Sequence, residues 1–291
     1  MARVKVITDS TADLPRDLVD YYNIEVLPMI TSLEGIAYRD GVDLTPAQFY
    51  EKLASSKELP HTSQHSPQVL REAYQRALDD GQAVVAIHLS SGMSGTMDAA
   101  NLVKEMYPPS APLVVIDSRS ASLGQGLLAL RAAEMAAEGE KLEAIAAEVI
   151  ALRGRLLSIF MVDTLKYLLM GGRINKVQAM VGSMLDLKPV LHVNPEGRID
   201  QLEKARGRKM ALRRLLALMS QHGRNLAGQT AAISHALCLG DAEWLKTEII
   251  NQFAVDRVIV GEMGSVIGTH VGPGAVALFF QGEQIQNITR E

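Results

Sequence analysis

Four hydroxyl side chains lie within the seven-residue segment Ser90–Thr96, whose sequence is Ser-Ser-Gly-Met-Ser-Gly-Thr. The apolar run Ala83–Leu89 precedes it, and apolar residues at helical spacing follow it from 97 to 107, so the pattern predicts a buried strand, a turn and a helix. Free backbone N–H groups at such a turn and the positive end of the helix dipole attract anions. A glycine turn with an ordinary helix cap is the alternative, but capping needs fewer than four hydroxyls. The segment therefore favours anion binding.

Two other segments carry polar side chains that helix capping does not explain. Leu59–Pro67 is predicted to be a loop before a helix, in which the final Ser-Pro pair suits the helix start and Thr62–Gln64 take no part in it. Gly268–Gly274 contains His270 among its glycines, which predicts a loop whose backbone approaches another part of the protein closely. A simple turn with a surface histidine is the alternative for this second segment.

Cationic side chains concentrate at two places. Arg173 directly follows Gly171 and Gly172 at a predicted helix end, where it is either a solvated residue beside a helix cap or an exposed contact for an anion or a partner. Six lysines and arginines occur between Lys204 and Arg214, a pattern typical of a solvated strand–helix junction. Because the protein as a whole is acidic, this basic segment also suits an acidic or phosphate-bearing partner.

The sequence disfavours several kinds of chemistry. No Walker phosphate loop occurs, and among the seven histidines only the pair His61 and His65 has metal-ligand spacing, within a predicted loop. A G-x-G-x-x-A pattern at Gly124–Ala129 lacks the strand and the acidic residue of a dinucleotide site. A serine hydrolase remains open, because Ser91 or Ser94 could meet His270 in the folded chain.

The composition is that of an ordinary globular protein. The 291 residues include 47% hydrophobic and 21% charged residues, and the net charge of −4 argues against a nucleic-acid-binding protein. The single cysteine excludes an internal disulfide, and the N-terminal sequence enters a strand pattern without a signal-peptide core. No uncharged apolar run reaches the length of a membrane span. We therefore expect a cytoplasmic protein without a transmembrane segment.

Strands and helices alternate over residues 1–154, which predicts an α/β fold with an N-terminal doubly wound parallel-sheet domain. Beyond the boundary, residues 155–291 combine a hairpin turn at Asn194–Gly197 with further helices, which is typical of a C-terminal α+β domain. An amphipathic helix is also predicted to end at Leu185. The parallel strands are expected at Val4–Thr8, Ile24–Ile30, Ala83–Leu89 and Leu113–Asp117.

Five separated motifs, in order along nearly the whole chain, resemble the DegV family of fatty-acid-binding proteins: Ile7–Leu14, Thr62–Gln64, Leu89–Thr96, Gly171–Ile174 and Gly268–Gly274. The resemblance implies two domains with the ligand between them, in an interior tunnel that holds one long-chain fatty acid. It also implies a protein with no catalytic activity and no cofactor of its own. The chain departs from the family at His65, where a proline commonly stands.

The resemblance further implies a partner, an ATP-dependent fatty acid kinase that forms an acyl phosphate for an acyltransferase of phospholipid synthesis. Arg173 and Arg206 are expected on the outer face as contacts for this kinase. The alternatives are a serine hydrolase and a dihydroxyacetone-kinase-like subunit. The residues implied to bind the fatty-acid carboxylate are Thr62 and Ser94, with Ser63, Ser91, Gly95 and His270 beside them.

Overall fold

The computed structural model describes residues 3–174 and 186–285. The amphipathic helix predicted to end at Leu185 lies outside the described residues. The strands in chain order are β1 (Val4–Asp9), β2 (Glu25–Leu27), β3 (Ile30–Leu33), β4 (Ile36–Arg39), β5 (His61–Ser63), β6 (Ala83–His88), β7 (Leu113–Asp117), β8 (Leu156–Met161), β9 (Leu187–Val193), β10 (Ile199–Arg206), β11 (Thr230–His235), β12 (Arg257–Glu262) and β13 (Val276–Gln281). The α-helices are α1 (Arg16–Tyr21), α2 (Pro46–Ser55), α3 (Pro67–Asp79), α4 (Thr96–Lys104), α5 (Leu123–Ala137), α6 (Leu142–Arg155), α7 (Lys166–Met170), α8 (Arg208–His222), α9 (Leu239–Phe253) and α10 (Ser265–Val271).

A four-stranded parallel sheet, in the order β2-β1-β6-β7, carries the first part of the chain. β6 is buried along its whole length, with Val85 and Val84 in separate apolar cores on its two faces. An almost entirely apolar strand suits this position, because both faces of a parallel sheet are covered. The turn after β6 therefore lies at the carboxyl edge of the sheet and leads into α4. The parallel sheet and the strand–turn–helix unit around Ser90–Thr96 are confirmed.

A second sheet has the strand order β10-β9-β8-β13-β11-β12, with antiparallel pairs except for the parallel pair β11–β12. Side chains alternate between its two faces, as the pleat of a strand requires. Phe160 and Phe279 belong to the core shared with the first sheet, whereas Ile159 and Leu278 belong to a core on the opposite face, with residues of α8 and α9. The predicted turn at Asn194–Gly197 joins β9 to β10.

Helix α5 contacts strands of both sheets, β1 and β6 in the first and β8 and β11 in the second. The second sheet begins with β8 at Leu156, directly after α6 ends at Arg155. The predicted fold class, a parallel α/β part followed by an α+β part, is confirmed. The division into domains at 1–154 and 155–291 stays a prediction.

The loop predicted over Leu59–Pro67 contains a short strand, so this prediction is wrong for His61–Ser63. β5 pairs antiparallel with β3 and places Thr62 opposite Thr31, within a small sheet of order β4-β3-β5. Backbone hydrogen bonds at the edge of that sheet hold this polar segment, which has no hydrophobic alternation to mark it as a strand.

The loop predicted over Gly268–Gly274 is wrong for residues 268–271, because α10 extends from Ser265 to Val271, and it is confirmed for residues 272–274. Gly268 lies within this helix, and a Cβ there would be only 2.7 Å from both Phe49 Cε1 and Tyr50 Oη of α2. The expected close approach of the backbone is present, but a helix makes it. Glycine density alone does not distinguish a closely packed helix from a loop.

Within residues 3–174 and 186–285, no helix combines the length and the apolar character needed to cross a membrane.

We expect Gly268→Ala to lower the free energy of unfolding by about 1–3 kcal/mol, because the added methyl group must displace two buried rings. Gly240→Ala is the matched control, since Gly240 lies in α9 with open space where a Cβ would stand. Alanine there favours the helix by up to about 1 kcal/mol. Urea unfolding measures both changes, and equal stability of Gly268→Ala and the parent protein would contradict the packing described.

Candidate functional site

A cavity of about 390 Å³ lies between the carboxyl-edge turn of the parallel sheet and the inward face of the second sheet. Its volume is within the range of small-molecule binding sites. Residues far apart in sequence line it: Met29, Thr62, Ser63, Gln64, Leu89, Met93, Ser94, Gly95, Ala121, Ser122, Ser158, Phe160, Leu168, Arg173, Val193, Ile199, Met263, Val266, Ile267, His270, Val271, Ala277 and Phe279.

The apolar wall of the cavity comes mainly from the second sheet. β8 contributes Phe160 and β13 contributes Ala277, two residues that stand directly opposite each other in the antiparallel pair. One step further along the same face, Ser158 stands opposite Phe279. The period of two along each strand therefore builds a continuous, largely apolar surface from positions that are not adjacent in the sequence.

Thr62 and His270 meet at the polar end of the cavity, where Thr62 Oγ1 lies 2.9 Å from His270 Nε2. The small sheet positions Thr62, and α10 positions His270 in its last turn. A buried hydrogen bond of 2.8 Å between Thr31 Oγ1 and Ser265 Oγ joins these two elements. The site therefore depends on the strand that the sequence analysis missed.

Ser94 and Gly95 line the same end of the cavity at the start of α4. Ser94 Oγ lies 3.0 Å from Thr96 Oγ1 and accepts a hydrogen bond from the Thr96 N–H at 3.2 Å. Gly95 has the side-chain amide of Gln64 directly beside its Cα, where any Cβ would collide with it. The loop that carries Thr62 and the turn that carries Ser94 are thus in direct contact.

Arg173 lies on the cavity wall and is half-buried, so the expectation of an exposed residue on the outer face is wrong. Its Nε donates to the Met93 carbonyl at 3.1 Å, and its guanidinium also donates to the Gly171 carbonyl. Burial lowers the pKa of Arg173 below its usual value, and an arginine nevertheless stays cationic in a protein at neutral pH. Within the described ranges no carboxylate forms a salt bridge with it. The cavity therefore carries a full positive charge that sequence reasoning had assigned to the surface.

Gly171 and Gly172, which precede Arg173, are the sequence feature that could have indicated that Arg173 lies at the site. A Cβ on Gly171 would collide with His270 Nδ1, so the chain passes directly against the imidazole at this point. Gly172 adopts φ 69°, in the left-handed region that favours glycine, and turns the chain. Such a close turn next to a polar side chain indicates a built site more than a solvated helix end.

His270 is held neutral by its surroundings. Burial, reinforced by the positive charge of Arg173, lowers the pKa of His270 to about 4. Its Nδ1 is buried without a hydrogen-bond partner in the described structure. Together with the hydroxyls of Thr62 and Ser94, a neutral imidazole and a guanidinium form a set of donors suited to a carboxylate taken from water.

The geometry gives little support to a serine nucleophile. The hydroxyl next to His270 is that of Thr62, and the hydroxyl of Ser94 is paired with Thr96. No carboxylate orients His270 Nδ1 in the described part of the chain. Among residues 3–174 and 186–285, no three His, Cys, Asp or Glu side chains are arranged so that they could hold a metal ion.

Ser91 does not line the cavity, so its expected part in carboxylate binding is not supported. It is exposed, and its hydroxyl donates to Asp117 Oδ2 at 2.6 Å. Ser63 does line the cavity, next to Thr62. Arg206 is exposed at the end of β10 and lies outside the cavity lining, as expected for a residue on the outer face.

His65, the residue at which the chain departs from its resemblance, is buried behind the polar end of the cavity. Its Nε2 lies 3.1 Å from Asp9 Oδ1, although without hydrogen-bond geometry. His88 Nδ1 lies 2.7 Å from the same oxygen, and the Leu89 N–H donates to Asp9 Oδ2 at 2.8 Å. Burial alone would raise the pKa of Asp9, but the neighbouring imidazoles of His88 and His65 hold it well below its usual range. Sequence reasoning missed this cluster, because Asp9, His65 and His88 are distant in sequence.

The chain belongs to the DegV family: the family model described as "Uncharacterised protein, DegV family" matches residues 3–283. The resemblance based on five short motifs is thereby confirmed over nearly the whole chain. The motifs that carried it include Thr62–Gln64 and Gly171–Ile174, both of which reach the cavity.

Solved structures of DegV proteins have the same fold. A DegV family protein from Thermus thermophilus, described in terms of fatty acid binding, is 35% identical with a TM-score of 0.89, covering 96% of this chain and 99% of its own. DegV from Bacillus subtilis, described as a fatty acid binding protein, is 33% identical with a TM-score of 0.86, covering 97% and 100%. A DegV family protein from Ruminococcus gnavus, described with vaccenic acid, is 25% identical with a TM-score of 0.87, covering 96% and 100%.

The lowered pKa of His270 predicts a specific pH dependence of stability. The unfolded chain protonates this histidine near pH 6.5, whereas the folded protein does so at about 4. Between these values the unfolded state binds more protons, so stability falls as the pH is lowered from about 6.5 to about 4, by up to about 3 kcal/mol. Above about pH 6.5 the contribution is fully present.

Urea unfolding of the protein without ligand, at a series of pH values, measures this effect. His270→Gln should lose less stability than the parent between pH 6.5 and pH 4. His61→Gln, which changes an exposed imidazole of β5, is the control and should follow the parent. If His270→Gln and the parent lose the same stability, the buried neutral state of His270 is wrong.

Proposed function

We propose that this protein binds one long-chain fatty acid in the cavity, with the carboxylate at Thr62, Ser94, His270 and Arg173. The observation that carries the proposal is the polarity of the cavity, which has hydrogen-bond donors and one positive charge at one end and apolar walls beyond them. The descriptions of the Thermus and Bacillus relatives as fatty acid binders support it. The donors fix the orientation of the ligand, and the apolar walls provide the affinity.

The acyl tail supplies most of the binding free energy. A sixteen-carbon tail buries roughly fifteen methylene-sized groups at about 0.8 kcal/mol each, a gross gain on the order of 12 kcal/mol before the costs of ordering. The carboxylate must lose water on entering, and hydrogen bonds with the guanidinium of Arg173 offset that cost. An apolar cavity of this size would otherwise leave its walls without packing partners.

We further propose that the protein acts as a carrier in the cytoplasm, without catalytic activity or a cofactor of its own. It presents the carboxylate to a separate ATP-dependent fatty acid kinase, and an acyltransferase of phospholipid synthesis uses the acyl phosphate. The sequence has no Walker loop with which the chain itself would bind ATP. Serine hydrolase and dihydroxyacetone-kinase-like activity are the alternatives, and the Thr62–His270 pair is the geometry on which a hydrolase would have to depend.

Fewer cations of the basic segment Lys204–Arg214 can bind an acidic or phosphate-bearing partner than its composition indicates. Arg208 forms salt bridges with Asp163 and Asp241, and Arg214 with Glu203, so these two charges are neutralised internally. The exposed cations at the end of β10 and on α8 are the ones we assign to the kinase surface: Arg206, Lys209 and Arg213.

We expect the protein purified from cells to carry a fatty acid in about equimolar amount, because the walls of an apolar cavity gain contacts when it is filled. Denaturing extraction followed by mass spectrometry identifies and counts the acyl species.

Ser94→Ala should weaken binding of added fatty acid by about 1–3 kcal/mol, since it removes a hydrogen bond to a charged group. Ser91→Ala is the matched control, because that hydroxyl binds Asp117 outside the cavity.

Two results would contradict the carrier proposal. One is an extraction that releases no acyl species together with no binding of added fatty acid by the stripped protein. The other is ester hydrolysis by the isolated protein that Ser94→Ala or Thr62→Ala abolishes, which would favour the hydrolase.

Arg206 and Arg173 should behave differently when kinase and ATP are supplied. Arg206→Ala should leave fatty-acid binding unchanged and slow acyl-phosphate formation about fivefold, a loss of about 1 kcal/mol typical of an exposed charge pair. Arg173→Ala should weaken fatty-acid binding itself, because its guanidinium lines the cavity. Arg71→Ala, which changes another exposed arginine, is the control. Normal acyl-phosphate formation with Arg206→Ala would remove this residue from the kinase surface.

A further inference from the structure

Two cavities of the protein share part of their walls. The acyl cavity of about 390 Å³ and a second cavity of about 110 Å³ are both bounded by Ser158 and Val193. The smaller cavity is polar on its outer side, where Arg119, Arg153 and Asn194 line it. Ser158 and Val193 therefore form a partition between an apolar interior and a polar cleft.

The strand register places this partition at the end of the acyl cavity away from the proposed carboxylate site. Arg173 follows the end of β8 through α7, and His270 precedes the start of β13. In the antiparallel pair of these strands, Phe160 and Ala277 are therefore on the side of the carboxylate site. Ser158 and Phe279 are two residues further away, and the pairing of Ile159 with His192 brings the end of β9 next to them.

The two residues of the partition differ in how firmly they are fixed. The hydroxyl of Ser158 lies 2.9 Å from that of Ser120, and both side chains are buried, so each satisfies the other. Val193 is the last residue of β9, is only partly buried, and has no polar group to satisfy. Its side chain can be replaced without leaving a buried donor or acceptor unpaired.

The cleft beyond Val193 is unfavourable for the methyl end of a fatty acid. Arg153 donates to the Asp117 carbonyl at 2.8 Å and Arg119 to the Pro195 carbonyl at 3.2 Å, so two guanidinium groups border it. Burial, and to a smaller extent the positive charge of Arg119, lowers the pKa of Arg153. A terminal methyl group that passed Val193 would displace water from these charges, which opposes entry.

We propose that Val193 sets the maximum length of the acyl chain that this protein accepts. The proposal rests on the proposed function, because it assumes that a fatty acid enters with its carboxylate at Thr62 and Arg173. The chain length preferred is then the one whose methyl end reaches Val193. The cleft beyond Val193 has a volume of about 110 Å³, but its guanidinium groups oppose the entry of further carbons, so Val193 marks the end of the apolar space.

The test uses the full-length protein after removal of its natural ligand. Parent, Val193→Phe and Val193→Ala are titrated with saturated fatty acids of increasing length, in steps of two carbons, by displacement of a fluorescent fatty acid. Val190→Ala is the matched control, since Val190 lies on the same strand but in the core on the opposite face. Mass spectrometry of the ligands retained from cells gives a second, independent measurement of preferred length.

Val193→Phe should shorten the preferred chain by at least one two-carbon step, and Val193→Ala should lengthen it. Each methylene that loses its place in the cavity costs about fourfold in affinity, so one step corresponds to about fifteenfold. Val190→Ala should keep the length preference of the parent. If Val193→Phe does not fold, the result for Val193→Ala still tests the proposal.

The outcomes separate this inference from the proposed function. If the parent binds fatty acids and neither Val193 variant changes the preferred length, the partition does not set chain length and the inference is wrong. The proposed function would stand in that case. If the parent binds no member of the series and releases no acyl species on extraction, the proposed function fails and the inference fails with it.

Discussion

The buried carboxylate of Asp9 is the constraint on which the polar end of the cavity depends. It ends β1, accepts the N–H of Leu89 at the end of β6, and lies 2.7 Å from His88 and 3.1 Å from His65. These contacts join the first strand, the turn that leads to Ser94 and the loop that follows Thr62. Removing one partner of a buried charge costs about 3–5 kcal/mol, so the three segments hold one another in place. Asp9 does not itself line the cavity, but it holds the backbone of Leu89, which does, and fixes the segments that carry Thr62 and Ser94.

The two faces of the second sheet have different roles. Its outward face packs on α8 and α9 in an ordinary aliphatic core, and its inward face supplies the apolar wall of the cavity. Because side chains alternate along every strand, the same six residues of β8 contribute to both. The strand hydrogen bonds keep that wall rigid, which allows a cavity to persist next to a close-packed core.

The parallel sheet and the turn at Ser90–Thr96 could be predicted from the sequence, because an uninterrupted apolar run followed by glycines and hydroxyls has one common structural meaning. β5 and α10 could not. His61–Ser63 forms a strand through backbone pairing with β3, and α10 packs with Gly268 against Phe49 and Tyr50 of α2. Both depend on partners distant in sequence. The same limit explains why Arg173 was expected on the outer face of the protein. Its side chain donates to the Met93 carbonyl, and the sequence does not show that these two residues are close in the fold.

The neutral state of His270 also limits how much negative charge the site can hold. Among the described residues of the cavity lining, Arg173 is the one side chain with a full positive charge at neutral pH, and a single carboxylate balances it. A phosphorylated ligand carries up to two negative charges at its head, so one of them would face the low-dielectric interior uncompensated. If the cavity binds a fatty acid as proposed, its single cationic side chain suits a monoanion better than a dianion, whose second charge is better placed in water at the mouth.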